Sequence, residues 1–333
     1  MRGRIFLRDL AIALCGLAVL ALIPYFYPGP ALRDFMIYVI AYGLLAMSLN
    51  LLIGFTGLVS FGHAAYFASG AYIFGILMQR TGASLPLAFL IAVGSTALLA
   101  LVIGAICVRL KELYFTFITL AFQMMIHAII LTWVPLTGGD QGLMGGIPRP
   151  PFLGIRLSDP YTFYLTCCIL FVACLFLLRQ ITESPFGYTL RMIRDNPERA
   201  LFLGVNVFRA KLIAFVLAGT VASVGGIILA LFASGAYPEF AFWTTSGEAI
   251  FMIMLGGSQV FLGPLLGAAI LHTLEHYVTI YAEHYGLVLG IVILIAVLGL
   301  RRGIADFVLD AWRNRRAAAE TEAARETAAK REV

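Results

Sequence analysis

Long apolar runs separated by short polar breaks dominate the chain. Residues 10–32, 35–53, 57–79, 81–108, 113–134, 160–178, 212–237, 249–274 and 285–300 are nearly free of charge. Most reach the roughly 17–25 residues that an α-helix needs to span a hydrocarbon core about 30 Å thick. Period-two alternation in segments of about ten residues is missing, so a transmembrane β-barrel is not expected. Helices are the remaining way to satisfy backbone groups in lipid. The pattern predicts an all-α polytopic membrane protein with about ten transmembrane helices. Two readings stay open at 247–280, which "GGSQVFLGP" interrupts: two short crossings or a re-entrant pair.

Composition points the same way. Of 333 residues, 61% are hydrophobic and 12% charged, with a mean hydropathy of +0.94. Soluble domains are about half apolar and a quarter charged. The first run reads as a retained helix or signal anchor, because it is long for a signal-peptide core and no small-residue cleavage site precedes Pro24. Charge then sets orientation. Of 23 Lys and Arg residues, only Arg33, Arg80, Arg149 and Arg156 fall in the expected outer loops. The others collect at the N-terminus, in 109–111, in 179–211 and after Arg301, which places both ends in the cytoplasm. The net charge of +5 is therefore a topology signal, and nothing suggests a nucleic-acid partner. The five cysteines, Cys15, Cys107, Cys167, Cys168 and Cys174, lie in apolar runs and read as small core residues.

The expected organisation is a membrane domain over 1–300 followed by a charged cytoplasmic tail over 301–333. The tail has strong helix formers and no apolar face, the signature of a solvated helix. Residues 135–160 form a Gly- and Pro-rich outer loop. The hexapeptide "FASGAY" occurs at 67–72, inside an apolar run, and at 232–237, at the end of one. Its surroundings match poorly, so an ancestral repeat competes with the ordinary recurrence of small residues at membrane helix contacts.

The inner loop, 181–211, carries the sharpest local signals. Ser184 can N-cap a helix with Pro185 at its first position. Phe186, Leu190 and Ile193 then share one face, and Arg191 and Arg194 another. In "DNPER", Asp195 or Asn196 caps a second helix with Pro197 and Glu198 in its first turn, and Gly204 ends it. This amphipathic pair is open to two readings: a helix lying on the bilayer, or a docking element that seats an apolar ridge in a partner's groove.

The segment resembles the cytoplasmic coupling loop of ABC-importer permeases, in which an Ala-containing helix is followed by Gly, here Ala200 and Gly204. Three further stretches make the chain similar to the branched-chain amino acid permeases of the LivM type. They are "SLNLLIGFTGLVSFGHAAYFASGAY" (48–72), "LYFTFITLAFQMMIHAII…PLTGGDQGLMGGIP" (113–148) and "SGEAIFMIMLGGSQVFLGPLLGAAIL" (246–271). Together they cover well over half of the chain in order; the longer Arg/Glu/Ala tail departs from the pattern. The resemblance implies a permease subunit of a bacterial inner-membrane importer. Its implied partners are a second permease of the H type, two P-loop ATPase subunits and a periplasmic solute-binding protein. It further implies ATPase-coupling roles for Pro185, Phe186, Gly187, Leu190, Arg191, Arg194, Asn196, Pro197, Ala200 and Gly204. Contact with the binding protein is implied near Asp140 and Glu239. No cofactor is expected on this chain, and ATP and Mg belong to the ATPase partners. Independently, the chain has no G-x-x-x-x-G-K-[ST] with which to hydrolyse ATP itself.

For a solute path, Thr116, Thr119, Gln123 and His127 recur at three- and four-residue spacings, one polar stripe on an apolar helix. Such a stripe faces protein or a water-filled path, serving either interhelical hydrogen bonds or a solute. Ser60 and His63 are read as one turn apart on the helix of the 57–79 run, with His63 either a packing residue or a path residue. There, Ser60, Ala64 and Ala68, with Ala65 and Ser69 beside them, form a close-packing stripe. Glu248, after "WTTSG", reads as a boundary carboxylate at the outer end of a helix. "HTLEH" places His272 and His276 at i and i+4 but is not the H-E-x-x-H zinc motif, and no metal is expected. No nucleophile–base pair or paired carboxylates stand at catalytic spacing, so a transport role is favoured over an enzymatic one. The alternative is a stand-alone secondary transporter or channel for a small polar solute. Among solutes, leucine-like amino acids, other amino acids, urea and small amides all remain open.

Overall fold

A computed structural model of the chain describes residues 2–26, 29–151, 156–281, 286–288, 290–291, 294 and 303–307. The helices in order are α1 (Arg2–Phe26), α2 (Pro30–Thr56), α3 (Ala64–Arg80), α4 (Leu85–Cys107), α5 (Glu112–Thr132) and the single turn α6 (Val134–Thr137). They continue as α7 (Pro160–Thr182), α8 (Pro185–Asp195), α9 (Pro197–Phe202), α10 (Val207–Ala233), α11 (Trp243–Gly256) and α12 (Gly263–Tyr281). Short 3-10 turns cover Gly139–Gln141 and Pro238–Ala241, and no strand occurs among the described residues. Proline opens several helices within their first two positions: Pro30, Pro86, Pro160, Pro185 and Pro197. Its fixed φ suits that position, and its missing N–H would be unpaired there anyway.

Six helices are long and apolar enough to cross a membrane among the described residues: Phe6–Pro24, Pro30–Thr56, Leu85–Cys107, Leu113–Thr132, Pro160–Thr182 and Val207–Ala233. The described residues are thus all-helical and multi-pass, with six full-length spans among them where ten crossings were expected over the whole chain. The shortfall has a physical cause at two places. The 57–79 run is not one helix. Its first seven residues are non-helical, and α3 is 17 residues long, about 26 Å at 1.5 Å per residue. Likewise α11 has 14 residues, about 21 Å. The last apolar run, 285–300, lies mostly outside the described residues, as does the tail from 308.

The chain divides into two compact units, residues 1–250 and 251–333. In the first, α2 and α10 are mostly buried, while α1 is almost wholly exposed and lies along α7. Tyr161 and Tyr164 of α7 donate to the carbonyls of Ala21 and Leu20 at one end of that pair, and Arg179 pairs with buried Asp9 at the other, 3.2 Å. α3 packs against α10 with backbones touching. A Cβ on Gly226 would stand 1.9 Å from the Phe67 carbonyl oxygen, and one on Gly70 would stand 2.5 Å from that of Ser223. Small residues permit this approach, which is the main source of helix association in lipid. Ala64, Ala65, Ala68 and Ser69 line the buried side of α3 as expected, but Ser60 precedes the helix and is not part of its stripe.

In the second unit the last turns of α11, from Phe251, form a hairpin with α12. A Cβ on Gly267 would meet the Met252 carbonyl at 1.8 Å. The turn between them is capped from far along the chain: the Asp306 carboxylate accepts from the amides of Gln259 (3.3 Å) and Val260 (3.0 Å). Asp306 is buried, so the start of the expected solvated tail is folded into structure at 303–307.

Candidate functional site

Two places concentrate the residues singled out by the sequence. The first is α8–α9. Ser184 Oγ accepts from the Gly187 amide at 3.3 Å, and Asn196 Oδ1 accepts from the Arg199 amide at 2.8 Å. Asn196, and not Asp195, is therefore the second cap. Gly204 has φ +83°, the left-handed conformation that ends a helix, and the Val205 amide returns to the Ala200 carbonyl at 3.1 Å. The candidate coupling residues divide sharply. Gly187, Leu190 and Ala200 are buried with Ile193 and fix the pair to the membrane domain. Gly187 lies so close to the Thr182 carbonyl that a Cβ would fall 2.2 Å from it. Pro185, Asn196, Pro197 and Gly204 are exposed, and Phe186 is half-buried.

Arg191 and Arg194 turn inward over the end of α2, with Arg191 stacked on the Phe55 ring at 5.0 Å. Sequence reasoning missed the apolar tip beyond them. Leu201, Phe202 and Leu203 are 59%, 91% and 68% exposed. The signal was present as three consecutive apolar residues beyond the amphipathic register, outside the face used to align the pair.

The second place is along α5 in the first unit, against which two connecting segments lie. Residues 57–63 lead from α2 into α3, and residues 234–242, which include the 3-10 turn Pro238–Ala241, lead from α10 into α11. The α5 stripe ties both down. Thr116 Oγ1 donates to the Val59 carbonyl at 2.9 Å, and a Cβ on Gly62 would sit 2.1 Å from the Thr119 carbonyl. One and two turns further along, Gln123 Nε2 donates to the Phe242 carbonyl at 2.8 Å, and His127 Nδ1 donates to that of Pro238 at 3.1 Å. A closed relay completes the knot. The Ala64 amide donates to Ser246 Oγ (2.9 Å), whose hydroxyl donates to Gln123 Oε1 (2.7 Å). Ser246 was not predicted. "WTTSG" opens α11, and through Ser246 the start of that helix lies against the middle of α5.

His63 is fully buried, immediately before α3, with Nε2 2.9 Å from Ser48 Oγ. The Ser48 hydroxyl also lies 2.8 Å from the Leu45 carbonyl of its own helix. On the other side of the ring Nδ1 has no hydrogen-bond partner among the described residues, and the same holds for buried Ser60 Oγ. Unpaired buried polar atoms are rare, and each calls for an explanation. The expectation of Ser60 and His63 on one helix turn is corrected: both belong to the connector, though they do stand at the same knot as the α5 stripe.

Of the expected outer candidates, Asp140 lies away from this knot along the chain, whereas Glu239 stands within it, next to Pro238. Asp140 and Glu239 are both exposed, on the two 3-10 turns. Their surroundings are braced. Arg80 donates to the carbonyls of Pro135 and Leu136, and Arg149 donates to those of Leu231 and Phe232 at the end of α10. His272 pairs with Glu275 of its own helix at 3.1 Å, and no cluster of three or more metal-type ligands occurs among the described residues.

Residues 31–298 match the family described as "Branched-chain amino acid transport system / permease component". The chain is 26% identical over 296 residues to the high-affinity branched-chain amino acid transport system permease protein LivM of Salmonella typhimurium, covering 81% of this chain and 68% of that protein. Against LivM of Escherichia coli it is 26% identical over 318 residues, 87% of this chain and 74% of the relative. The ribose import permease protein RbsC of Bacillus subtilis is 29% identical over 281 residues, 75% of this chain and 83% of the relative. No solved structure gives a significant match. With most of its length matched in one alignment, the chain belongs to the family of branched-chain amino acid transport permease components.

Proposed function

We propose that this chain is the membrane-spanning permease subunit of an ATP-driven importer for branched-chain or related amino acids. It works with a second permease of the H type, two P-loop ATPase subunits and a periplasmic solute-binding protein, in a bacterial inner membrane with both ends cytoplasmic. The observation that carries the reading is the doubly capped α8–α9 pair, anchored by buried Leu190, Ile193 and Ala200 while it holds Leu201, Phe202 and Leu203 out. An apolar tip on a rigid, anchored helix pair fits a partner's groove.

The path runs past Ser60, His63, Thr116, Thr119, Gln123 and His127. Closed, Thr116, Gln123 and His127 of the α5 stripe are spent on the carbonyls of the two connectors. Open, the same donors become available to a polar solute, with Ser60 Oγ and His63 Nδ1 the groups that have no other hydrogen-bond partner among the described residues. The chain itself supplies no covalent chemistry. Outside, Asp140 and Glu239 belong to the face that receives the loaded binding protein.

The test is uptake by membrane vesicles carrying the complex. Phe202→Asp should abolish ATP-dependent uptake and co-purification of the ATPase while leaving the chain inserted in the membrane. Unchanged uptake would sink the reading.

A further inference from the structure

A long cytoplasmic arginine aimed inward at a helix end is the feature left over by the proposed role of α8–α9. Helix α2 stops at Gly57, which has φ +75°. The Leu58 amide, which would continue the helix by bonding the Gly54 carbonyl, instead turns back to Leu52 at 3.2 Å. The Gly54 carbonyl is thereby one of the oxygens orphaned at a helix C-terminus. Arg194 of α8 fills the vacancy: its Nη1 donates to the Gly54 carbonyl oxygen. Its aliphatic stem covers Gly57 so closely that a Cβ there would stand 3.2 Å from Arg194 Cγ. The side chain is 28% exposed and also reaches Asp195 at 3.2 Å. Arg191, one turn back, stacks on Phe55. Two cations of one coupling helix therefore grip the last turn of α2, where positive charge complements the helix dipole.

Directly after that gripped turn comes the 57–63 connector. It touches α5 at Thr116 and Thr119 and ends on His63 and the first amide of α3. Seven residues of non-helical chain separate the turn from the start of α3. We infer that Arg194 is a positioning residue that joins α8 to the 57–63 connector, so that displacement of α8–α9 shifts the connector and opens the polar knot. This deepens the proposed function and rests on it. Arg194 thus serves coupling through the interior of the chain, at the Gly54 carbonyl.

The test uses the full complex in proteoliposomes, measuring solute imported per ATP hydrolysed and the amount of ATPase that co-purifies. Arg194→Met keeps the stem and removes the fork. The expected result is normal ATPase recovery with import per ATP lower by about tenfold, the order set by losing one charge-assisted hydrogen bond. Arg194→Lys, a point charge without the fork, should recover part of the ratio. It also decides the matter if the Met variant fails to insert. An unchanged ratio in either inserted variant overturns the proposal, and so does loss of the ATPase, which would make Arg194 a docking residue. A wild-type chain that recruits no ATPase overturns the proposed function and this inference together.

Discussion

Substituting Gly226 by Ala tests whether α3 and α10 are held by backbone contact. The added Cβ would stand 1.9 Å from the Phe67 carbonyl oxygen, where ordinary contact begins at 3.4 Å, so the helices must part by about 1.5 Å. No rotamer relieves the clash, because the obstacle is backbone. Overpacking of this kind costs typically 1–3 kcal/mol, and backbone movement places this site near the upper end, about 3 kcal/mol. Better helix propensity returns about 1 kcal/mol. The net loss is about 2 kcal/mol, more than tenfold in the folding equilibrium. Gly94→Ala on α4 is the control: it is exposed, with nothing within 4 Å of its added Cβ, and keeps only the gain. Denaturant unfolding in detergent micelles, followed by helical ellipticity, should separate the two variants by about 3 kcal/mol. Equal midpoints would refute the packing argument.

The same geometry sets other outcomes. Gln123→Leu strands the Phe242 carbonyl and the Ser246 hydroxyl, costing about 1–3 kcal/mol per buried group. It should lower the unfolding midpoint and alter uptake kinetics, and an inserted variant with both unchanged removes Gln123 from the path. Asn196→Ala deletes the α9 cap, worth about 1 kcal/mol, and should speed amide exchange across 197–203 with little change in 186–193. Asp306→Ala frees the amides of Gln259 and Val260 and should speed proteolytic nicking in 257–262, measured by mass spectrometry. An unchanged nicking rate would mean that the carboxylate does not hold that turn.

The α8–α9 pair was legible almost residue by residue, because Ser184, Pro185, Asn196, Pro197 and Gly204 are chemical punctuation that works locally. The α5 stripe was legible as a stripe, since a 3.6-residue period survives in lipid as in water. Its partners were not legible: carbonyls of Val59, Pro238 and Phe242 carry no side-chain signal, and the segments that offer them are as apolar as the helices around them. The same blindness merged 57–63 with α3, since membrane helices tolerate glycine and hydropathy does not register a left-handed turn at Gly57. Asp306 was read as part of a solvated tail because charge density dominates that region, and a single carboxylate capping a distant turn leaves no periodic trace.

The central claim is that the exposed tip of α9 docks a P-loop ATPase. A photoreactive side chain placed at position 202 in otherwise intact membranes tests it most directly. Irradiation should join this chain to an ATPase polypeptide, and Asn196→Ala should weaken the product by loosening the helix that presents it. Adducts with lipid alone would contradict the account and leave α8–α9 as a helix pair lying on the bilayer.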